Sequence, residues 1–253
     1  MLHRQIERIR SYTQANNDLL RAHHFLYDLP LDRSSQTFEF LVMGINPGEQ
    51  KGDWEAWPKP TEETSLFDFR ERLGRRPPAS ERWRSLVEYF CGTTNVVMSE
   101  FFLWSSVNSD AAFTEKFTVP IQRSPHLPFC AEVNLELVRH YAVRAVVAPG
   151  LKSIRLFAEP YGLRHVRTIP AGNGHTLVEH FDREGTPWLF TKHWSAAFGF
   201  STDQRERIRD YIAEVSPPHE ASPAKLGRKP SFAWRQFVAF REALAFGFGR
   251  GRR

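Results

Sequence analysis

A chain of 253 residues predicts one or two domains, and its 41 % apolar and 25 % charged residues are the balance of a globular protein with a real core. Its net charge is +5 and is unevenly placed: eight basic and two acidic residues from Pro217 onward give +6 there, leaving −1 on residues 1–216. That composition excludes a disulfide scaffold and a low-complexity chain, and the basic tail suits a polyanion such as nucleic acid.

Residues 2–27 read as a helix, with Ile6, Ile9, Leu19, Leu20 and Phe25 on a rough three-to-four spacing. The N-terminus is charged and lacks the apolar stretch of a secretory signal. Next, Phe38 to Ile45 is a short apolar run that ends in Asn46-Pro47-Gly48, which favours a buried strand and a sharp turn. Residues 49–60 read as a long loop. Residues 80–91 fit a helix capped by Ser80, with Trp83, Leu86, Val87 and Phe90 on one face. Its last residue, Cys91, and Cys130 are the only cysteines, too few for an iron–sulfur cluster or a four-cysteine zinc site.

Phe101 to Trp104 reads as a second buried strand, leading into Ser105, Ser106, Val107 and Asn108. A helix over 131–141 follows, then a strand at Ala145 to Val147 running to Pro149-Gly150, then a helix from about Lys152 to Glu159 closed by Pro160 and Gly162. The stretch 173–182 fits another strand and Trp188 to Thr191 the last. Residues 202–215 fit a helix capped by Thr202. No stretch approaches 18 apolar residues, so no membrane-spanning helix is expected and a soluble, cytoplasmic protein is the default. Beyond the last helix, 217–230 is a Pro/Ser/Lys linker, followed by an amphipathic helix (231–246) and a Gly/Arg end. The expected division is therefore an α/β domain over 1–216 and a basic linker, helix and tail over 217–253.

Strands alternating with helices through long crossovers imply an α/β layered fold with a mostly parallel sheet. Ligands of such sheets sit beyond the C-terminal strand ends, so chemistry is sought just after each strand. Two of these segments stand out. One is Gly44-Ile45-Asn46-Pro47-Gly48, where Gly44 permits close approach and the Pro-Gly turn throws the Asn46 amide into the cleft. The other runs from Lys192 and His193 through Trp194, Ser195 and Ala196 to Phe198 and Phe200, a histidine at a strand exit followed by a small, aromatic-bearing loop. As bland alternatives, Asn-Pro-Gly is an ordinary turn and His193 a satisfied strand-end residue.

Together these segments resemble the two motifs of the uracil-DNA glycosylase superfamily, over residues 38–212. The first motif is similar to that of the mismatch-specific and single-strand-selective branches, with asparagine in place of aspartate. In the second, Trp194 and Ala196 stand where the family commonly has prolines. The resemblance implies a three-layer α/β sandwich around a short, mostly parallel four-stranded sheet. It also implies hydrolysis of the N-glycosidic bond of uracil or a related pyrimidine in DNA, as in base excision repair. Asn46 would position water, the carboxyl group of Glu49 could assist where an amide cannot take a proton, and His193 would stabilise the departing base. Gly44, Ile45, Pro47 and Gly48 would line the base pocket. Trp57, or failing that Trp54, would be the stacking floor, and Ser105 or Asn108 would read the base. Lys192 and Ser195 would hold DNA, and Phe198 or Phe200 would fill the vacated stack.

The expected partner is DNA, with the tail on phosphates; the expected state is a monomer, nucleoid-associated in a bacterial cell. No cofactor is expected. His175 and His180 flank Glu179, but their odd spacing would put them on opposite strand faces without a third ligand, so no metal is expected. A catalytically silent DNA-binding member of the same fold is the competing reading. An unrelated nucleotide-binding α/β protein is disfavoured, since no Gly-rich phosphate motif follows a strand.

Overall fold

A computed structural model describes residues 1–20, 22, 27–29, 38–46, 48–49, 79–107, 110–151, 154–172, 174–194 and 201–218. The chain divides between Pro217 and Pro218, and every described helix and strand belongs to the first unit. In order, its elements are α1 (Leu2–Ala15), β1 (Tyr27–Leu29), β2 (Phe40–Gly44), β3 (Gly48–Glu49), α2 (Ala79–Cys91), β4 (Val96–Glu100), β5 (Ser106–Val107) and α3 (Asp110–Phe117). Then come α4 (Leu127–Tyr141), β6 (Ala145–Pro149), α5 (Ile154–Phe157), β7 (Arg164–Pro170), β8 (Thr176–Arg183), β9 (Thr186–Thr191) and α6 (Thr202–Val215).

Seven strands form one mixed sheet in the order β1-β4-β2-β6-β9-β8-β7. The general α/β expectation holds, but the sheet is wider than the four strands expected. Adjacent β4, β2, β6 and β9 run parallel, and antiparallel strands extend both edges. The extra strands explain themselves. Edge strand β7 reads Arg-His-Val-Arg-Thr-Ile-Pro and is exposed along nearly its whole length, so it carries no apolar alternation to betray it. At the other edge β1 is three residues long.

The parallel strands are buried on both faces, and their side chains alternate between two cores. Leu41, Met43, Val97, Val146, Phe190 and Trp188 meet Ile6, Ile9, Phe113, Val133 and Phe157 from α1, α3, α4 and α5. Phe40, Val42, Val96, Met98, Val147 and Leu189 meet Val87 and Phe90 of α2 and Ile208 and Ile212 of α6. Helices thus cover both faces, the arrangement that lets continuous Val/Ile/Leu/Phe runs escape water.

Several element bounds differ from expectation for local reasons. Helix α1 stops at Ala15, not 27: Asn16 is extended, and its side chain donates to the Tyr12 carbonyl at 2.7 Å, the backbone competition that ends helices at asparagine. The helix still docks, because Tyr12 stacks on Phe129 with ring centres 3.8 Å apart. The first strand is Phe40–Gly44, shorter at both ends than expected. The second strand is Val96–Glu100, and Phe101 to Trp104 follow it as buried irregular chain rather than forming it. Four consecutive buried aromatic and aliphatic residues need no strand when both faces are covered. Ser80 lies inside α2, which starts at Ala79, and α6 is capped by Ser201, whose hydroxyl accepts from the Gln204 N–H at 3.2 Å, rather than by Thr202. Helix α4 begins at Leu127, four residues early, with a proline in its first turn.

A buried polar network fixes the end of β4. Asn134 of α4 donates to the Glu100 carbonyl and to the Tyr161 hydroxyl, both at 2.9 Å, and accepts from Ser99 at 2.6 Å. Tyr161 in turn donates to the Phe101 carbonyl at 3.0 Å. Replacing Asn134 by alanine strands Ser99 and the Glu100 carbonyl in a dry core, an expected cost of about 2–3 kcal/mol. A lower denaturant midpoint at unchanged slope would record it, and a change below about 0.5 kcal/mol would contradict the role given to the network.

Candidate functional site

Because β4, β2, β6 and β9 are parallel, their C-terminal ends share one edge of the sheet. The exits are stitched together in pairs. Past the end of β2, the carbonyls of Gly44 and Ile45 accept from the N–H groups of Phe101 and Phe102 at 2.9 and 2.8 Å. Farther out, β3 and β5 pair in parallel, Gly48 beside Ser106 and Glu49 beside Val107. Between these two backbone ties the Asn46 side chain donates its Nδ2 to the Ser106 Oγ at 2.8 Å. The segment after the first strand and the segment after the second are therefore one unit, and Asn46 is held in a fixed orientation within it. Asn46 is half-buried and Ile45 exposed.

The β6 and β9 exits are joined likewise: the Gly150 N–H donates to the Thr191 carbonyl at 2.8 Å. Lys192 continues the pairing toward β8 by donating its N–H to the Leu177 carbonyl at 2.9 Å, and its ammonium reaches Gln204 of α6 at 3.4 Å. His193 follows, half-buried. Trp194 is fully buried and stacks on Phe90 of α2, ring centres 4.6 Å apart and planes 15° from parallel. The chain is thus nailed to the core one residue after the histidine. With β6 alone between them, the β2 and β9 exits lie roughly 10 Å apart at ordinary strand spacing.

Gly44 has a specific reason to be glycine. A Cβ built there would meet the Glu100 carboxylate oxygens at 2.1 and 2.8 Å, because that carboxyl group lies across the position a side chain would take. The group that approaches Gly44 in the protein is the last residue of the neighbouring strand, in register with it. Sequence reasoning missed Glu100. Its signal is an acid in the otherwise apolar and small-residue run from Val96 to Trp104, masked because Phe101–Trp104 is the more apolar stretch and reads as the strand. Glu100 is 9 % exposed, and its Oε2 has no hydrogen-bond partner among the described residues. Burial pushes its pKa well above the usual carboxylate range.

Ser105 is completely buried beside Ser106. Pro47, Trp54, Trp57, Asn108, Ser195, Phe198 and Phe200, with the linker and tail from residue 219, lie outside the described residues.

The remaining titratable groups are placed elsewhere. His180 points to the Tyr211 hydroxyl with its Nδ1 at 2.7 Å, and burial, aided by the Arg167 guanidinium, holds its pKa below the ordinary histidine value. His175 is exposed. Among the described residues, no group of three or more His, Cys, Asp or Glu is arranged to hold a metal ion. Burial pushes the Cys130 thiol up to about 12 and raises the Cys91 thiol too, so neither is a reactive thiolate. A cavity of about 220 Å³ opens at the opposite edge of the sheet, lined by Leu135, Val138, Trp188 and the pairs that Arg139 and Arg183 make with Glu184. No helix among the described residues is long and apolar enough to cross a membrane. No protein-family model matches the chain, and no curated protein sequence matches it.

Proposed function

We propose that the chain is a DNA glycosylase of the uracil-DNA glycosylase type, hydrolysing the N-glycosidic bond of uracil or a related pyrimidine in DNA. The observation that carries the reading is the tie between Asn46 and Ser106 at the strand exits, on the same sheet edge from which His193 departs. The four adjacent parallel strands, with helices on both faces, are in keeping with the short parallel sheet of that architecture.

The chemistry follows from the residue types. Breaking the bond leaves positive charge on the sugar C1′ and negative charge on the departing base. A donor at His193 lowers the cost of the second charge, and donors of this kind are worth roughly 10²–10³ in rate. Water must reach C1′, and the Asn46 amide, tethered at Nδ2, would orient it. An amide cannot take the proton as a carboxylate does, so the reaction leans on leaving-group stabilisation and runs slowly. The target nucleotide must leave the stack to reach this edge. The basic segment from Pro217 onward would hold phosphates.

The test is direct. Incubating the full chain with a uracil-containing oligonucleotide and then with alkali should cleave the strand at the uracil. Asn46→Asp should preserve or raise the rate, because the carboxylate both orients water and accepts its proton. An inert but folded Asn46→Asp protein would contradict the role given to Asn46. A catalytically silent DNA-binding protein of the same fold is the second reading, favoured by the burial of Ser105, a candidate for reading the base. Strand cleavage in the same assay separates the two.

A further inference from the structure

We propose that the tip of the β7–β8 hairpin, residues 171–175, is a second DNA contact, holding backbone phosphates to one side of the target nucleotide. The partner rests on the DNA reading proposed for the cleft. The hairpin itself lies outside the four adjacent parallel strands that build that cleft.

Topology places the tip. Strand β8 runs antiparallel to β9 with Val178 opposite Thr191, and the Leu177 carbonyl accepts from the Lys192 N–H. The residues that end β7 and those that precede β8 therefore stand at the sheet edge from which Lys192 and His193 depart. At ordinary strand spacing the tip is roughly 5–10 Å to the side of the β9 exit. About two or three nucleotides of one DNA strand cover that distance.

The build of the tip suits a phosphate. The Ala171 N–H donates to the His175 carbonyl at 2.6 Å, closing a reversal through Gly172 (φ 90°) and Gly174 (φ 79°). A Cβ added at either glycine would meet nothing within 4 Å. The tip thus stands clear of the body, with bare backbone that a ligand can approach closely. His175 is exposed on it. At its root Arg207 of α6 donates to the Pro170 carbonyl at 2.7 Å, and Lys192 arrives from β9. Of the nearby acids on α6, Glu206 acts on Tyr89 of α2, and Asp203 lies one turn from Arg207. Two cations and an imidazole against one carboxylate favour a polyanion.

Strand β7 is exposed along nearly its whole length, so burial does not account for the hairpin. Its attachment is nevertheless firm. Arg167 of β7 donates its Nε to the Tyr211 hydroxyl at 2.6 Å and pairs with Glu214 at 2.9 Å. Tyr211 also meets His180 of β8 at 2.7 Å, so both strands are fastened to α6. A tip braced in this way orders little chain on binding.

The test compares His175→Glu with Arg164→Gln in the full chain. Both make the charge more negative by one, the first at the tip. The second acts at the start of the seven-residue β7, roughly 20 Å away. Both side chains are exposed, so the circular dichroism melts should overlay that of wild type. Binding to a fluorescein-labelled duplex with one uracil, and to its undamaged counterpart, is read by anisotropy at low salt. His175→Glu should raise Kd at least about fivefold on both duplexes, and Arg164→Gln less than about twofold. Equal losses in the two variants, or no binding of either duplex by wild type, overturns the proposal. Wild-type affinity in His175→Glu, with uracil excision intact, sinks this inference and leaves the glycosylase reading standing. A loss confined to His175→Glu, on DNA from which wild type excises no uracil, leaves the tip contact standing and removes the glycosylase.

Discussion

Alanine at His193 should lower uracil excision by about 10²–10³-fold, the loss expected when one preorganised donor is taken from a departing anion. The side chain is half-buried and follows β9 directly, so its removal leaves the sheet pairing of Thr191 and Lys192 untouched. Stability should therefore change little, and the circular dichroism melt should overlay that of wild type. The contrast that gives the experiment its force is truncation after Pro217. That deletion removes eight basic and two acidic residues, and it should weaken DNA binding and flatten its dependence on salt. At saturating oligonucleotide the truncated chain should keep its excision rate. Equal rate losses in the two variants, measured as single-turnover rates, would contradict the division of labour between cleft and tail.

How much of this was readable in the residues depends on which physical signal each element carries. Strands β2, β6 and β9 were legible because they are short apolar runs closed by Gly, Pro or a polar exit, as buried parallel strands must be. The edge strand β7 was invisible for the opposite reason: it forms by pairing with β8 and buries almost nothing. The second strand was displaced by one segment because Phe101 to Trp104 is the more apolar stretch, whereas pairing to β2 selects Val96–Glu100. That displacement hid Glu100. The same displacement puts the expected base-reading position at Ser105, which is buried, or at Asn108, outside the described residues. Asn46 and His193 stand out in the sequence because turn chemistry and strand exits are local features; their roles remain part of the proposed function. The tie from Asn46 to Ser106 spans 60 residues and could only come from the fold.

On the proposed glycosylase reading Trp194 takes the place of a proline common in that family's second motif, and its replacement by alanine carries the largest expected stability change, about 3–5 kcal/mol. The indole is wholly buried against Phe90, in the core shared by β2, β4, β6 and β9 with α2 and α6. Truncation removes that stacking and opens a cavity that α2 and α6 cannot readily close; for a unit of this size the melting temperature should fall by on the order of 10 °C. The functional consequence follows from chain geometry. A proline fixes a loop by locking its own φ. A buried aromatic fixes it by anchoring the side chain, and Trp194 anchors the chain one residue beyond His193. Excision should therefore fall in Trp194→Ala even at temperatures where the protein is fully folded, as the histidine loses its fixed position. Trp194→Phe, which keeps the stacking, should recover most of both losses. If excision by folded Trp194→Ala matches wild type, the indole is a core residue alone and His193 takes its position from the β9 pairing.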